Sequence, residues 1–241
     1  MNKNKKYKLT KDTLQTYNTA TLYRIQALRE FDGGWVDELG GYVASESNLS
    51  HEGDAWISEN AIVRDYAQIN GKAIIRGQAI VEKNAIVRDY AVVNGNAKIS
   101  ENAIVRDNAF ISGNARISGN AVVSGKARIG GKAVVRDNAV VSGIAVVSGE
   151  AVVEGNVIIR GDALILKTSD YLHMGPMGSR NAYTTVYKTE GGGIGVSCGC
   201  FTGTLDEFEA KVRETHGSNK HGRDYMALIA WARARWGCTD L

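Results

Sequence analysis

The residues of this chain best suited to chemistry lie in its last third. Gly175-Pro176-Met177-Gly178-Ser179-Arg180 sets two glycines, with unshielded backbone N–H groups, beside a hydroxyl and a guanidinium. Those donors suit a phosphate or a carboxylate, and a guanidinium can grip either in a two-pronged way. The segment lacks the lysine spacing of a Walker loop, and a tight turn carrying a surface arginine is the plainer alternative. Tyr183, Thr184 and Lys188 follow on an alternating stretch and could extend the site. Cys198-Gly199-Cys200 is too closely spaced for a tetrahedral zinc pair and has no second pair, so strand packing is the expected role. Cys200 and His216 have the types of a nucleophile and a base but no third group to orient them. His216 falls where a helix should close, a common place for a capping histidine.

A small α+β domain over 167–241 must position these groups. Tyr183–Lys188 and Gly193–Ser197 read as two strands joined across Gly191-Gly192. Thr204-Leu205-Asp206-Glu207 is a capping box, with threonine at the N-cap and glutamate three residues on. The helix it opens should end near His216-Gly217. A second helix is predicted from about Asp224 to Trp236, with Tyr225, Leu228, Ile229, Ala232 and Trp236 at helical spacing.

Most of the chain before this domain follows another pattern. From Ala55 to Ala163 alanine recurs at every sixth position, broken only by Val157, and an isoleucine or valine follows each two places later, making 19 hexads. Residues two apart on a strand face the same side. Each hexad is therefore a short strand with two inward residues and a polar turn, as in Ala115-Arg116-Ile117-Ser118-Gly119-Asn120. Glycine and asparagine suit a tight corner. One hexad cannot bury its apolar face alone, whereas a stack can, and a six-residue period marks a β-solenoid. It spans 54–166. Residues 1–53 form a leader that caps the open bottom edge. In it, Tyr7-Lys8-Leu9 and Thr21–Ile25 alternate like strands, and Leu39–Val43 reads as a first imperfect rung.

The unit Ile/Val-x-x-x-Ala-x resembles that of the hexapeptide-repeat proteins. The resemblance implies a mainly β fold, a left-handed parallel β-helix with three hexads per coil, against the usual right-handed crossover. At about 4.8 Å per stacked strand, that gives roughly six coils and a prism about 30 Å tall. Residues 18 apart then lie above one another. One outer face carries Gln68, Ile86, Ile104, Val122, Val140 and Ile158; a second carries Trp56, Ile74, Val92, Phe110, Arg128, Val146 and Leu164. The third carries Ile62, Ile80, Lys98, Arg116, Val134 and Val152. Apolar stripes of this length should not stay in water: either flanking segments cover them or another subunit does. Asn84, Asn102, Asn120, Asn138 and Asn156 share one corner and should form an amide ladder. Arg88-Asp89 and Arg106-Asp107 stack at another as solvated ion pairs.

Over essentially its whole length the chain is similar to a family of phage and prophage hexapeptide-repeat proteins. The most specific matches are Asn48-Leu49-Ser50-His51-Glu52-Gly53, Gly175–Arg180, Gly199–Phe208 and Glu214-Thr215-His216-Gly217. Members are called acetyltransferase-like through the repeat alone, which is fold analogy. Hexapeptide acyltransferases use a histidine as general base, often beside an extruded loop, and the γ-class carbonic anhydrases need a histidine triad. This repeat has no histidine between Asp54 and Ile165 and its register never slips, while His51, His173, His216 and His221 all lie outside. Acyl transfer within the solenoid is therefore disfavoured.

Composition bounds the rest. The 241 residues carry 29 basic and 26 acidic side chains, a net +3 that is too balanced for nucleic acid as main partner. No apolar run is long enough to span a membrane. Met1-Asn2-Lys3-Asn4-Lys5-Lys6 is basic with no apolar segment behind it, unlike a secretory signal. Three cysteines suggest a reducing compartment, with the cytoplasm expected. The leading expectation is a non-catalytic binding protein without metal or cofactor, a homo-trimer or homo-dimer through its apolar stripes. Its ligand would be a phosphorylated small molecule, met by Gly175, Gly178, Ser179, Arg180, Tyr183 and Lys188 and by the basic outer positions Lys98, Arg116 and Arg128. In a phage setting this means sequestering a host nucleotide defence signal. A structural spacer or virion accessory, and an enzyme with its chemistry in the tail, are the alternatives.

Overall fold

The computed structural model describes residues 5–15 and 21–237; Met1–Asn4, part of the basic N-terminal stretch, lie outside them. Leader strands β1 (Tyr7–Gln15), β2 (Thr21–Ala27) and β3 (Leu39–Val43) precede nineteen two-residue strands, β4 (Trp56–Ile57) to β22 (Leu164–Ile165), one per hexad. These pair in parallel at a spacing of 18, as in Lys98↔Arg116, Phe110↔Arg128 and Val122↔Val140. The result is a parallel β-solenoid with sheets of nine, seven and six strands, the first extended by the leader. The three sheets carry the three outer columns read from the sequence.

The solenoid has about seven turns rather than six. The additional turn lies at the bottom and breaks the hexad count. Val43 pairs with Val63 and Leu49 bridges to Ile69, each across 20 residues instead of 18. Inside, the periodic alanines and their Ile/Val partners are at most 1 % exposed. Burying one branched aliphatic side chain is worth about 1.5–3 kcal/mol, and the stack repeats it at every hexad.

Corners explain the polar half of the repeat. The second turn residue takes the left-handed region, at φ 67° for Gly113. A Cβ at Gly113 would stand 2.8 Å from the Gly131 carbonyl oxygen one turn above. At Glu101, Asp107 and Asp137, where an acid replaces glycine, the carboxylate offsets the backbone cost by accepting a hydrogen bond from the amide of the next turn. Asp107 accepts from Gly125 N at 2.9 Å, Asp137 from Gly155 N at 2.9 Å and Glu101 from Gly119 N at 2.6 Å. The asparagine column forms the expected ladder, each amide donating to the next at 3.0–3.1 Å from Asn84 to Asn156. Arg88–Asp89 and Arg106–Asp107 are ion pairs at 3.2 and 3.6 Å with well-exposed side chains, worth little each.

Both ends are closed. At the bottom β1, β2 and β3 form an antiparallel meander. Tyr7 and Lys6 from its start are fully buried. The Tyr7 hydroxyl donates to the Leu49 carbonyl at 2.9 Å, and Lys6 Nζ to that of Ala55 at 2.7 Å. These are backbone acceptors that a lowest rung leaves open. Burial, with a smaller push from Arg29, lowers the Lys6 pKa to about 8. Between pH 8 and the ordinary 10.5, the unfolded chain therefore binds more protons than the folded one, and stability should rise with pH across that window. Urea unfolding at pH 8, 9 and 10 should show this rise in the parent and a smaller one in Lys6→Met. Equal slopes would refute it.

The tail sits on the top turn. Thr168 and Thr185 hydroxyls accept from Val152 N and Ile158 N, and the Tyr171 hydroxyl donates to the Val152 carbonyl. It comprises β23 (Tyr171–Met177), β24 (Ala182–Lys188), β25 (Ile194–Cys198), β26 (Phe201–Thr204), α1 (Leu205–His216) and α2 (Lys220–Trp236). The four strands form one antiparallel meander. Its second core joins Val186 and Val196 to Phe208, Val212, Leu228 and Ile229. The predicted capping box is present, with Thr204 Oγ1 accepting from Glu207 N at 3.2 Å. Two strands exceed the expectation. β23 contains Pro176, which an edge strand tolerates. β26 follows a two-residue turn in which Gly199 takes φ 58°. α2 begins four residues earlier than predicted, because Asn219 accepts from Gly222 N and caps it.

The tail and leader lie at the ends and leave the outer faces open. Ile86, Ile104, Val122, Val140 and Ile158 all stay half-buried. Only Trp56 is fully covered, with the Phe31 ring at 5.0 Å. No helix among the described residues is long and apolar enough to cross a membrane.

Candidate functional site

Ser179 and Arg180 lie on the turn that joins β23 to β24, where Met177 pairs with Ala182. The turn is pinned from below by α2. Gly178 has φ 72°, and the Tyr225 hydroxyl fills the place where its Cβ would be. Turn, sheet and helix α1 thereby enclose a cleft of about 420 Å³. Ser179, Arg180, Lys211, Thr215 and His216 supply its polar lining, and Phe201, Phe208 and Val212 much of its apolar lining. No carboxylate lines it among the described residues. Arg180 makes no ion pair or side-chain hydrogen bond among the described residues. Among the described residues Lys211 has only an exposed pair with Glu214. The cleft is therefore cationic over an aromatic and aliphatic base.

A hydrogen-bond chain runs through its inner wall. Thr184 donates to Cys198 Sγ at 3.1 Å, and the thiol donates to the Tyr225 hydroxyl oxygen at 3.7 Å. Burial, reinforced by Cys198, pushes the Tyr225 phenol up to about 12. The phenol thus keeps its proton at neutral pH and can donate it into the cleft. The His216 ring lies 5.7 Å from the Tyr225 ring, tilted by 31°. His216 and Cys200 both line the cleft without a hydrogen bond between them among the described residues. No group of three or more His, Cys, Asp or Glu is placed to hold a metal among the described residues.

The other predicted site residues lie elsewhere. Gly175 is close to its hairpin partner, where a Cβ would stand 2.8 Å from the Ala182 carbonyl oxygen. Tyr183 alternates with Ala182 and Thr184, so it faces away from the cleft. There it stacks on His173, with ring centroids 4.8 Å apart and planes within 9°. Lys188 is at the far end of β24 and pairs with Asp170 at 2.8 Å. Lys98 and Arg116 are neighbours on the nine-stranded sheet, with Lys98 bound to Glu82 at 2.6 Å. Arg128 belongs to the seven-stranded sheet. The cleft thus joins Ser179 and Arg180 to Lys211, Thr215 and Tyr225, which sequence reasoning did not include. Lys211 and Thr215 are four apart on a helix legible from its capping box, so their shared face was predictable. Its docking against the hairpin turn was not.

No protein-family model matches the chain, and no curated protein does. The chemistry of the site therefore rests on its own geometry.

Proposed function

We propose that this chain is a non-catalytic, oligomeric binding protein whose tail holds a phosphorylated small molecule and whose solenoid is a stiff multimerising stem. The observation that carries the reading is the cleft lined by Arg180, Lys211 and His216 with no lining carboxylate among the described residues. A phosphate there meets charge-assisted donors, with the Ser179 and Tyr225 hydroxyls beside them. A flat organic body can lie against Phe201 and Phe208, which suits a nucleotide. The resemblance to phage hexapeptide-repeat proteins points to a host nucleotide defence signal as the ligand and to sequestration as the purpose, which requires binding alone. Oligomerisation is supported by the open stripe from Ile86 to Ile158, which neither flank covers.

Titration calorimetry with cyclic dinucleotides and cyclic ADP-ribose isomers tests the reading. At least one is expected to bind saturably to a species sedimenting as two or three chains. Arg180→Ala and Lys211→Ala should each weaken it about tenfold, the loss of one charge-assisted hydrogen bond. No heat of binding from any of these ligands would remove the nucleotide reading, and sedimentation as a single chain would remove the oligomer.

A further inference from the structure

A larger cavity, about 620 Å³, lies at the seam between the top turn and the tail and shares no lining residue with the cationic cleft among the described residues. It is bounded by the Gly161-Asp162 corner, the glycine turn before β25, the start of α1 and the end of α2. Tyr187, Ile194, Leu205 and Trp236 give it apolar walls. Its charge is opposite to that of the cleft. Among the described residues, Asp162, Asp206 and Glu207 line it against a single cation, Arg233. Arg233 is already held by Asp206 at 2.6 Å and Glu209 at 2.5 Å, and Glu207 accepts the Thr204 amide at 2.8 Å. Asp162 has no ion pair or side-chain hydrogen bond among the described residues, which leaves its carboxylate for an incoming group.

The glycine turn adds a second observation. Thr189–Gly193 is closed by Thr189 N to the Gly193 carbonyl at 3.0 Å and is tied to the solenoid by Glu190 N to the Asp162 carbonyl at 2.9 Å. Only Gly192 needs the left-handed region, at φ 78°. A Cβ at Gly191 would meet nothing within 4 Å, and one at Gly193 only the end of the Thr189 side chain at 3.3 Å. The chain's own packing therefore does not demand glycine at 191 or 193. Yet Gly193 stands between this cavity and a smaller one of about 290 Å³ that shares Trp236 with it. The missing side chain leaves room beside an apolar wall and an uncommitted acid.

From this we infer that the seam is a second ligand site, for a small monocation with a flat apolar body. The body lies against Trp236, Leu205 and Ile194, and its protonated amine reaches Asp162. Charge excludes the phosphorylated ligands of the other cleft, so the two sites are chemically orthogonal.

Calorimetric titration of the full chain with tryptamine, indole and indole-3-acetate separates shape from charge. Tryptamine should bind saturably and at least tenfold tighter than indole, with indole-3-acetate weakest. Asp162→Asn, at an exposed corner, should bring tryptamine to the level of indole without changing Tm. Gly193→Val should weaken tryptamine and indole alike, and Arg180→Ala, in the other cleft, should change neither. No saturable heat from tryptamine, equal affinity for indole-3-acetate, or parental binding by Asp162→Asn would overturn the inference.

Discussion

Ile117→Ala is expected to lower the unfolding free energy by about 2–5 kcal/mol, the range for truncating a buried isoleucine. Ile117 is fully buried and stacked in register between Ile99 and Val135. Its near neighbours along the chain and stack include Ala115, Ala97 and Ala133, which have no side chain to swing into the void. The cost should therefore lie near the upper half of that range. A solenoid couples each turn mainly to its neighbours. Amide exchange should accelerate most in the adjacent turns and least at the capped ends. The adjacent outward residue is the control. Arg116→Ala, exposed on the same strand, should change stability by no more than about 0.5 kcal/mol. Urea titrations of the two variants give the comparison, and equal losses would contradict the inward-outward alternation.

Gly178→Ala is expected to have the largest effect on the tail. A left-handed backbone at φ 72° costs a side-chain-bearing residue about 1–2 kcal/mol. The new methyl also overlaps the Tyr225 hydroxyl, and overpacking of this kind typically adds about 1–3 kcal/mol. Tyr225 has to move, and with it the wall of the cationic cleft. Stability and ligand affinity should fall together, while the solenoid keeps its exchange protection. A double-mutant cycle with Tyr225→Ala isolates the clash, because the pair should cost less than the sum of the single changes. Strict additivity would show that Tyr225 does not lie where it would meet the new methyl.

The two variants also show where sequence reading succeeded. Ile117 declares its burial through a period that repeats 19 times. The inner stack, the three outer columns and the asparagine ladder all follow from that spacing and a turn of three hexads. The bottom turn was harder to count, because Val43 and Leu49 hold their places with two extra residues and no alanine. In the tail, short-range rules recovered the capping box at Thr204 and the strand from Tyr183. They missed β23, where Gly175-Pro176 signals a turn but an edge strand accommodates both residues. Gly178 was legible as a turn glycine, yet its reason is Tyr225, 47 residues away. Ser179 and Arg180 were named from their chemistry. Lys211 and Thr215 join them only through packing between helix and hairpin, a contact that no local pattern encodes.

The spacing of 18 above the bottom turn has a consequence for how such a chain can change length. Across the hexads from Trp56 to Ile165 the strand pairings, the amide ladder and the carboxylate-to-amide bonds each join a residue to its equivalent one turn on. Excising 100–117 joins Ile99 to Ser118 and leaves Asn84 beneath Asn120 with the same rung geometry. Duplicating such a block does the reverse. The distance between leader and tail is thus an adjustable ruler graduated in steps of about 4.8 Å. Genetic gain or loss of whole turns can reset the separation of the two ends while leaving the cleft in the tail untouched.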